Sequence, residues 1–270
     1  MNIALFYFSG TGNTEKIGEV ILNELTKLNV KVDIFNITSY KQRQRNYDLS
    51  PYNAIIFGFP IYAWRAPKVV REWLKSLDGQ QKQCATFFTY GGVSVGAAHY
   101  DTKEILEKIN FILIGSSEFP GKHTYNLAGW DLLEKRPDET DFEIAKEFAR
   151  RILKKFKQKI TSTIQIEDPM IPKKLIERLE NRDNTLPKPS RRGKDCSMCR
   201  TCEEFCPTMA MNADTGEADN LKCIRCFGCI KNCPDNVLEI DDMSRISEFI
   251  LNANNLTKDE IEGRISKINC

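Results

Sequence analysis

The sequence predicts a doubly wound α/β sheet over residues 1–160, followed by a smaller, cysteine-rich unit of mixed α+β type. Three observations carry this. Short apolar runs alternate with helical patterns, loops rich in glycine and hydroxyl groups follow the runs, and eight of the ten cysteines crowd between Cys196 and Cys233. At 270 residues the chain is long enough to bury a core in each unit.

Ile3 to Phe8, Ala54 to Phe59, Cys84 to Tyr90 and Phe111 to Ile114 are nearly unbroken apolar runs, the pattern of strands covered on both faces. Val30, Val32 and Ile34 instead alternate with Lys31 and Asp33, so this second strand exposes one face and lies at an edge. Helical spacing appears at Ile17, Ile21, Leu22 and Leu25. It recurs at Val70, Trp73, Leu74 and Leu77 behind Pro67, and at Phe142, Ala145, Phe148, Ala149, Ile152 and Phe156. Cys84 lies inside a strand and reads as core packing.

In open parallel sheets ligands bind beyond the carboxyl ends of the strands, which fixes the loops that matter. The first reads Ser9-Gly10-Thr11-Gly12-Asn13-Thr14 and runs into a helix. Glycines let the backbone curl round an anion, hydroxyls donate hydrogen bonds, and the helix N-terminus adds its dipole, so the loop is a phosphate cradle. It lacks the Lys-Ser/Thr ending of a nucleotide P-loop and the GxGxxG spacing of a dinucleotide fingerprint. The second loop, Pro60-Ile61-Tyr62-Ala63-Trp64, puts two large aromatics where a planar ring system can stack. The third, Thr89-Tyr90-Gly91-Gly92, allows close backbone approach.

Residues 161–194 hold Pro169, Pro172, Pro187 and Pro189 around a short helical pattern at Ile171, Leu175, Ile176 and Leu179, and read as a semi-ordered linker. The run Arg191-Arg192-Gly193-Lys194 is a solvated basic cluster able to steer an acidic partner.

Beyond the linker, Cys196, Cys199, Cys202 and Cys206-Pro207 form CxxCxxCxxxCP, and Cys223, Cys226, Cys229 and Cys233-Pro234 repeat it. Three thiolates spaced by three residues on a loop can wrap three corners of a four-iron cubane, while the fourth points elsewhere. Zinc sites made of four cysteines more often come as two separated CxxC pairs. From Met243 the chain has a loose helical pattern, Ile246, Phe249, Ile250, then Ile261, Ile265, Ile268, and is expected to pack on one of the units.

Residues 1–160 carry 23 Lys+Arg against 18 Asp+Glu, whereas 195–242 carry 4 against 10. The acidic unit is no partner for nucleic acid, and its opposite charge makes it a candidate to dock on the basic one. No apolar stretch approaches the roughly 20 residues of a membrane span, and the start of the chain does not resemble a secretory signal, so a cytoplasmic location is expected. His99 and His123 are the only histidines, both read as structural, and no catalytic residue is assigned.

The three loops together resemble the flavodoxin family, over residues 1 to about 158. The likeness is strongest to the flavodoxin-like domains fused to ferredoxins in anaerobic bacteria and archaea, including the stretch Arg136-Pro137-Asp138-Glu139. Residues 195–242 resemble a bacterial-type ferredoxin with two [4Fe-4S] clusters. The resemblance implies a five-stranded sheet in the order 2-1-3-4-5 and FMN as cofactor. Ser9 to Thr14 would hold the phosphate, Tyr62 would stack on the ring with Pro60, Ile61, Ala63 and Trp64 around it, and Thr89 to Gly92 would line the ring's polar edge. Flavodoxins commonly have glycine where Ala63 stands, Tyr90 and Tyr100 are the candidates for a second stacking aromatic, and typical flavodoxins are acidic where this unit is basic.

In two-cluster ferredoxins the fourth Cys of each motif ligates the other cluster. This assigns Cys196, Cys199, Cys202 and Cys233 to one cluster, and Cys223, Cys226, Cys229 and Cys206 to the other. The units implied are 1–160 flavodoxin-like, 161–194 linker, 195–242 ferredoxin and 243–270 helical tail. Their combination implies a carrier relaying low-potential electrons between a donor oxidoreductase and an acceptor enzyme. The alternatives are an iron–sulfur flavoenzyme reducing a small acceptor, quinone or flavin, and a redox-responsive regulator.

Overall fold

The computed structural model describes residues 1–158, 160–182, 186–193 and 195–270. The first unit runs β1 (Asn2–Tyr7), α1 (Asn13–Lys27), β2 (Lys31–Asn36), α2 (Tyr40–Arg43), β3 (Ala54–Pro60), α3 (Lys68–Leu74), β4 (Gln83–Tyr90), α4 (Ala98–Lys108), β5 (Ile112–Pro120) and α5 (Glu139–Phe156). Strands β2-β1-β3-β4-β5 are parallel in that order, with β2 at the edge, as the alternation at Val30 to Ile34 requires.

Successive residues of each strand feed opposite layers. Ile3, Leu5 and Tyr7 pack with Ile17, Ile21 and Leu25 of α1 and Phe148 and Ile152 of α5. Ala4, Phe6 and Phe8 pack with Val70, Trp73 and Leu74 of α3 and Leu106 of α4. Burial of both faces is why these strands read as continuous apolar runs. Helix α5 starts at a capping box in which Asp138 accepts from Thr140 N and Asp141 accepts from Asp138 N, each at 2.9 Å. The Arg136-Pro137-Asp138-Glu139 stretch is thus a helix start, and Arg136 Nε reaches Asp141 Oδ2 at 2.5 Å.

Helix α4 is amphipathic but was not foreseen from the sequence, and β5 outruns its apolar stretch, continuing past Ile114 through Gly115, Ser116, Ser117 and Glu118, all buried. Burying polar groups requires partners. Ser116 Oγ lies 2.7 Å from Thr86 Oγ1 and 2.6 Å from His99 Nδ1, and His99 Nε2 lies 3.0 Å from Glu118 Oε2.

After α6 (Lys173–Arg182), the second unit is a small antiparallel sheet, β7-β8-β6-β9, made of β6 (Ser190–Arg191), β7 (Met211–Asn212), β8 (Glu217–Ala218) and β9 (Leu238–Glu239), with short helices α7 (Thr201–Glu204) and α8 (Gly228–Lys231). Arg191 of the basic run is in β6 and donates to Ala213 O at 3.1 Å, Arg192 pairs with Asp241, and Lys194 lies outside the described residues. The tail forms α9 (Ser244–Ala253), α10 (Lys258–Glu262) and β10 (Lys267–Asn269). Strand β10 pairs antiparallel with β5, Lys267 opposite Glu118, and makes the large sheet six-stranded rather than five-stranded. Leu251 and Ile261 of the tail are buried with Trp130, Leu132 and Leu133.

Candidate functional site

The loops after β1, β3 and β4 meet at the carboxyl end of the sheet. One cavity there is lined by Ser9, Gly10, Thr11, Asn13, Thr14, Pro60, Ile61, Tyr62, Thr89, Tyr90 and Gly91. Hydrogen bonds tie the loops together: Thr14 Oγ1 to Thr89 Oγ1 at 2.7 Å, Ile61 N to Thr89 O at 2.8 Å, and Ser9 N to Thr38 Oγ1 at 2.8 Å. Gly12 stands at the N-cap of α1 with φ +103°, which glycine adopts freely, and no side chain caps the helix. The first N–H groups of any helix lack intrahelical partners. With the Ser9, Thr11 and Thr14 hydroxyls nearby, this donor set fits a phosphate group.

A fourth loop, Gly121 to Thr124 after β5, completes the cavity. Asn13 Nδ2 donates to Lys122 O at 2.5 Å, and Lys122 adds a cationic side chain to the lining. The sequence reading missed it because strand five was ended at Ile114; the signal was the Pro120-Gly121 break. His123 packs on Tyr125 and Trp130 and accepts a hydrogen bond from Tyr125 N at 3.0 Å through Nδ1. Burial holds its pKa down at about 4, so its ring is neutral at pH 7. A Cβ on Gly91 would lie 2.1 Å from this ring, which accounts for glycine there.

The second and third loops divide between this cavity and a neighbouring one. Tyr62 N donates to Arg65 O at 2.8 Å and Arg65 N to Tyr62 O at 3.1 Å, closing a tight turn with Ala63 at φ +46° and Trp64 at φ +65°. This turn sends Tyr62 into the cradle, while Ala63 and Trp64 line a larger adjoining chamber. Tyr90 lines both cavities, Tyr100 neither. Gly92 turns away, accepting at its carbonyl from Arg264 Nε at 2.8 Å.

The cysteines gather in two sets. Cys196, Cys199, Cys202 and Cys233 line one cavity with Val237 and Leu238; Cys206, Cys223, Cys226 and Cys229 line another with Ala210 and Phe227. Each set draws three members from one motif and the fourth from the other. Among the described residues no three Cys, His, Asp or Glu side chains converge to hold a single ion; each set of cysteines instead lines its own cavity. Burial pushes the Cys226 thiol up to about 12 and raises Cys229 as well. Such thiols ionise when metal is bound, so the donor set fits an iron–sulfur cluster.

The second cysteine set abuts the cradle. A Cβ on Gly10 would sit 2.8 Å from Cys226 O and 3.1 Å from the Tyr62 hydroxyl, and one on Gly228 would sit 3.0 Å from Gly10 O. Tyr40 N donates to Cys206 O at 3.3 Å. The Arg43 guanidinium donates to Thr38 O at 2.6 Å and also to Pro207 O, and burial lowers its pKa to about 10.

A flavodoxin-domain family model matches residues 4–110, and a 4Fe-4S dicluster-domain model matches residues 188–234. The chain joins a flavodoxin domain to a 4Fe-4S dicluster domain. Solved structures similar to the flavodoxin domain include a flavodoxin from the domain Archaea, at 21% identity over 58% of this chain and 100% of that one, with a TM-score of 0.43. A Streptococcus pneumonia TIGR4 flavodoxin gives 19% identity over 57% of this chain and 99% of that one, TM-score 0.42. The rubredoxin oxygen:oxidoreductase from the anaerobe Desulfovibrio gigas gives 20% over 58% of this chain and 36% of its own length, TM-score 0.45. No curated protein matches. The two domains together give the chain an electron-transfer role with redox partners, and among the described residues no helix is long and apolar enough to cross a membrane.

Proposed function

We propose that the chain relays low-potential electrons within one molecule between two [4Fe-4S] clusters and FMN, serving a donor oxidoreductase and an acceptor enzyme. FMN exchanges one or two electrons and each cluster one, which is the chemistry these groups supply when bound. Ser9 to Thr14 and Lys122 would hold the FMN phosphate, and Pro60 to Trp64 with Thr89 to Gly91 would surround its ring. Cys196, Cys199, Cys202 and Cys233 would hold one cluster, and Cys206, Cys223, Cys226 and Cys229 the other.

The observation that carries this reading is the close approach of Cys226 to Gly10, which sets one cysteine set against the cradle. The other set lines a separate cavity that shares no residue with the cradle, and its Cys199 is exposed. The order of stations is therefore the exposed cluster for entry, the cluster of Cys226 next, and the cradle last. Protein purified without oxygen should contain about eight iron atoms and about one FMN per chain. A Cys199→Ser, Cys226→Ser variant should keep its FMN and lose the fast phase of flavin reduction by a reduced ferredoxin. An unchanged fast phase would remove the clusters from the route.

A further inference from the structure

Through Ile61, Tyr90, Gly91 and His123 the cradle opens into a chamber of about 1000 Å³. That is the upper end of the roughly 300–1,000 Å³ that pockets for drug-sized ligands span. The chamber lies beyond the phosphate-binding groups, so it has room for more than one planar ring system.

Its floor is Trp64 with Val93 and Ser94, from the loops after β3 and β4; its roof is Leu175 and Leu179 of α6 and Phe249 and Ile250 of α9. Both roof helices are anchored. Glu180 of α6 pairs with Arg71, whose side chain is buried, and lies 3.8 Å from Arg65 Nε. Helix α9 is held at its start by Met243 N donating to Ala128 O at 2.5 Å, and near its end by Leu251 in the cluster around Trp130. Within this fixed frame Phe249 remains 55% exposed and Leu175 38% exposed, apolar area that a ligand would cover.

The lining chemistry restricts the occupant. It is mainly aromatic and aliphatic, its polar groups include the Tyr90, Ser94 and Tyr125 hydroxyls with Arg178 and Asn181, and among the described residues it includes no carboxylate. Aromatic walls suit a flat ring, hydroxyl and amide donors suit carbonyl oxygens, and the Arg178 guanidinium favours the oxygen-centred negative charge of a reduced product. One arginine is a poor match for the phosphates of a dinucleotide or a second flavin nucleotide.

We propose that the chamber is a second small-molecule site, for a planar aromatic dicarbonyl compound of the quinone class, lying between Trp64 and the α9 roof. The binding claim stands on the chamber alone; its redox consequence rests on the flavin reading of the cradle. Conversion of a quinone to its hydroquinone consumes two electrons, supplied by a reduced ferredoxin-type donor through the chain, and two protons, taken from water.

Equilibrium dialysis of menadione against the oxidised, anaerobically purified holoprotein should give one saturable site per chain without displacing FMN. Phe249→Ala should weaken binding by about tenfold or more, as loss of a central aromatic contact does, and Leu175→Ser should weaken it too. Both should leave FMN content unchanged, and Glu248→Ala on the solvent side of α9 should leave menadione binding as in the parent. Binding unaffected by either roof variant, or menadione that FMN displaces one for one, would overturn the proposal. Should the protein carry no FMN yet bind menadione with the same dependence on Phe249, the chamber proposal stands and the flavin reading fails.

Discussion

Gly10 packs against the Cys226 backbone of the dicluster domain, and Gly10→Ala tests that contact with one methyl group. Gly10 has no left-handed backbone angle, so alanine brings no conformational strain of its own. Its Cβ would however sit 2.8 Å from Cys226 O and 3.0 Å from Cys226 Cβ. Ordinary contacts begin near 3.4 Å, so the cysteine loop must retreat by about half an ångström or more, and its partner is backbone that cannot swing aside. Overpacking of this kind costs about 1–3 kcal/mol, equivalent to a fall of several degrees in Tm for a chain of this size.

The control is Gly12→Ala. There nothing lies within 4 Å of the added methyl, but φ is +103°, so the change strains the cradle without touching the dicluster domain. Gly10→Ala should therefore slow the intramolecular reduction of the flavin, measured by stopped flow with a reduced ferredoxin at limiting protein concentration. Gly12→Ala should mainly weaken FMN affinity. If Gly10→Ala kept both the parent Tm and the parent intramolecular rate, the contact would have no part in the relay.

Cys206→Ser should alter the same cluster spectrum as Cys226→Ser and spare the one altered by Cys199→Ser, because the cavities pair the residues in that way; electron paramagnetic resonance pairing Cys206 with Cys199 would reverse the assignment. Ala63→Gly should stabilise the protein by about 0.5–1 kcal/mol in a denaturant titration, since Ala63 is held at φ +46°. Burial keeps the pKa of His123 near 4 against an ordinary 6.5, so the unfolded chain takes up that proton first. Its contribution to stability is complete above about pH 6.5 and declines by up to about 1.4 kcal/mol per pH unit down to about pH 4. The parent should lose more stability than His123→Gln between pH 7 and pH 5, and equal losses would contradict this.

What the sequence disclosed follows from how each signal is encoded. The interior strands were legible because both faces of the sheet are covered, and the edge strand because one face is not. The cradle was legible because close backbone approach at Gly10 and a positive φ at Gly12 demand glycine. The spacing marked the eight cysteines as ligands, while their division into two crossed sets was implied only by the resemblance to two-cluster ferredoxins. The second half of β5 was hidden because Ser116 and Glu118 look like loop residues until His99 and Thr86 supply their partners from other elements. The added strand β10 was equally invisible, since three residues with Lys267 and Asn269 at their ends carry no β signature of their own. Trp64 facing the chamber and Tyr62 facing the cradle depend on a turn whose two central residues, Ala and Trp, are not the ones such turns usually select.

Charge illustrates a further gap between composition and geometry. Opposite net charges on residues 1–160 and 195–242 suggest an encounter driven by electrostatics and weakened by salt. Among the described residues, however, no ion pair of 4 Å or less joins those two segments. The joint includes the Gly10–Cys226 contact, backbone hydrogen bonding from Tyr40 to Cys206, Arg43 on the Pro207 carbonyl, Ile224 against the core of the first domain, and Tyr125 tilted at 5.9 Å over Phe227 beside buried Met243. Buried contacts are little affected by mobile ions, whereas an incoming protein partner meets the acidic surface across solvent. Raising the salt from about 0.01 to about 0.5 M shortens the screening length from roughly 30 Å to only a few ångströms. The intramolecular rate should stay the same across that range, while the second-order rate with a charged donor should change severalfold. A parallel fall in both rates would mean that the domains meet by charge after all, and that the contact at Gly10 is not the one through which electrons pass.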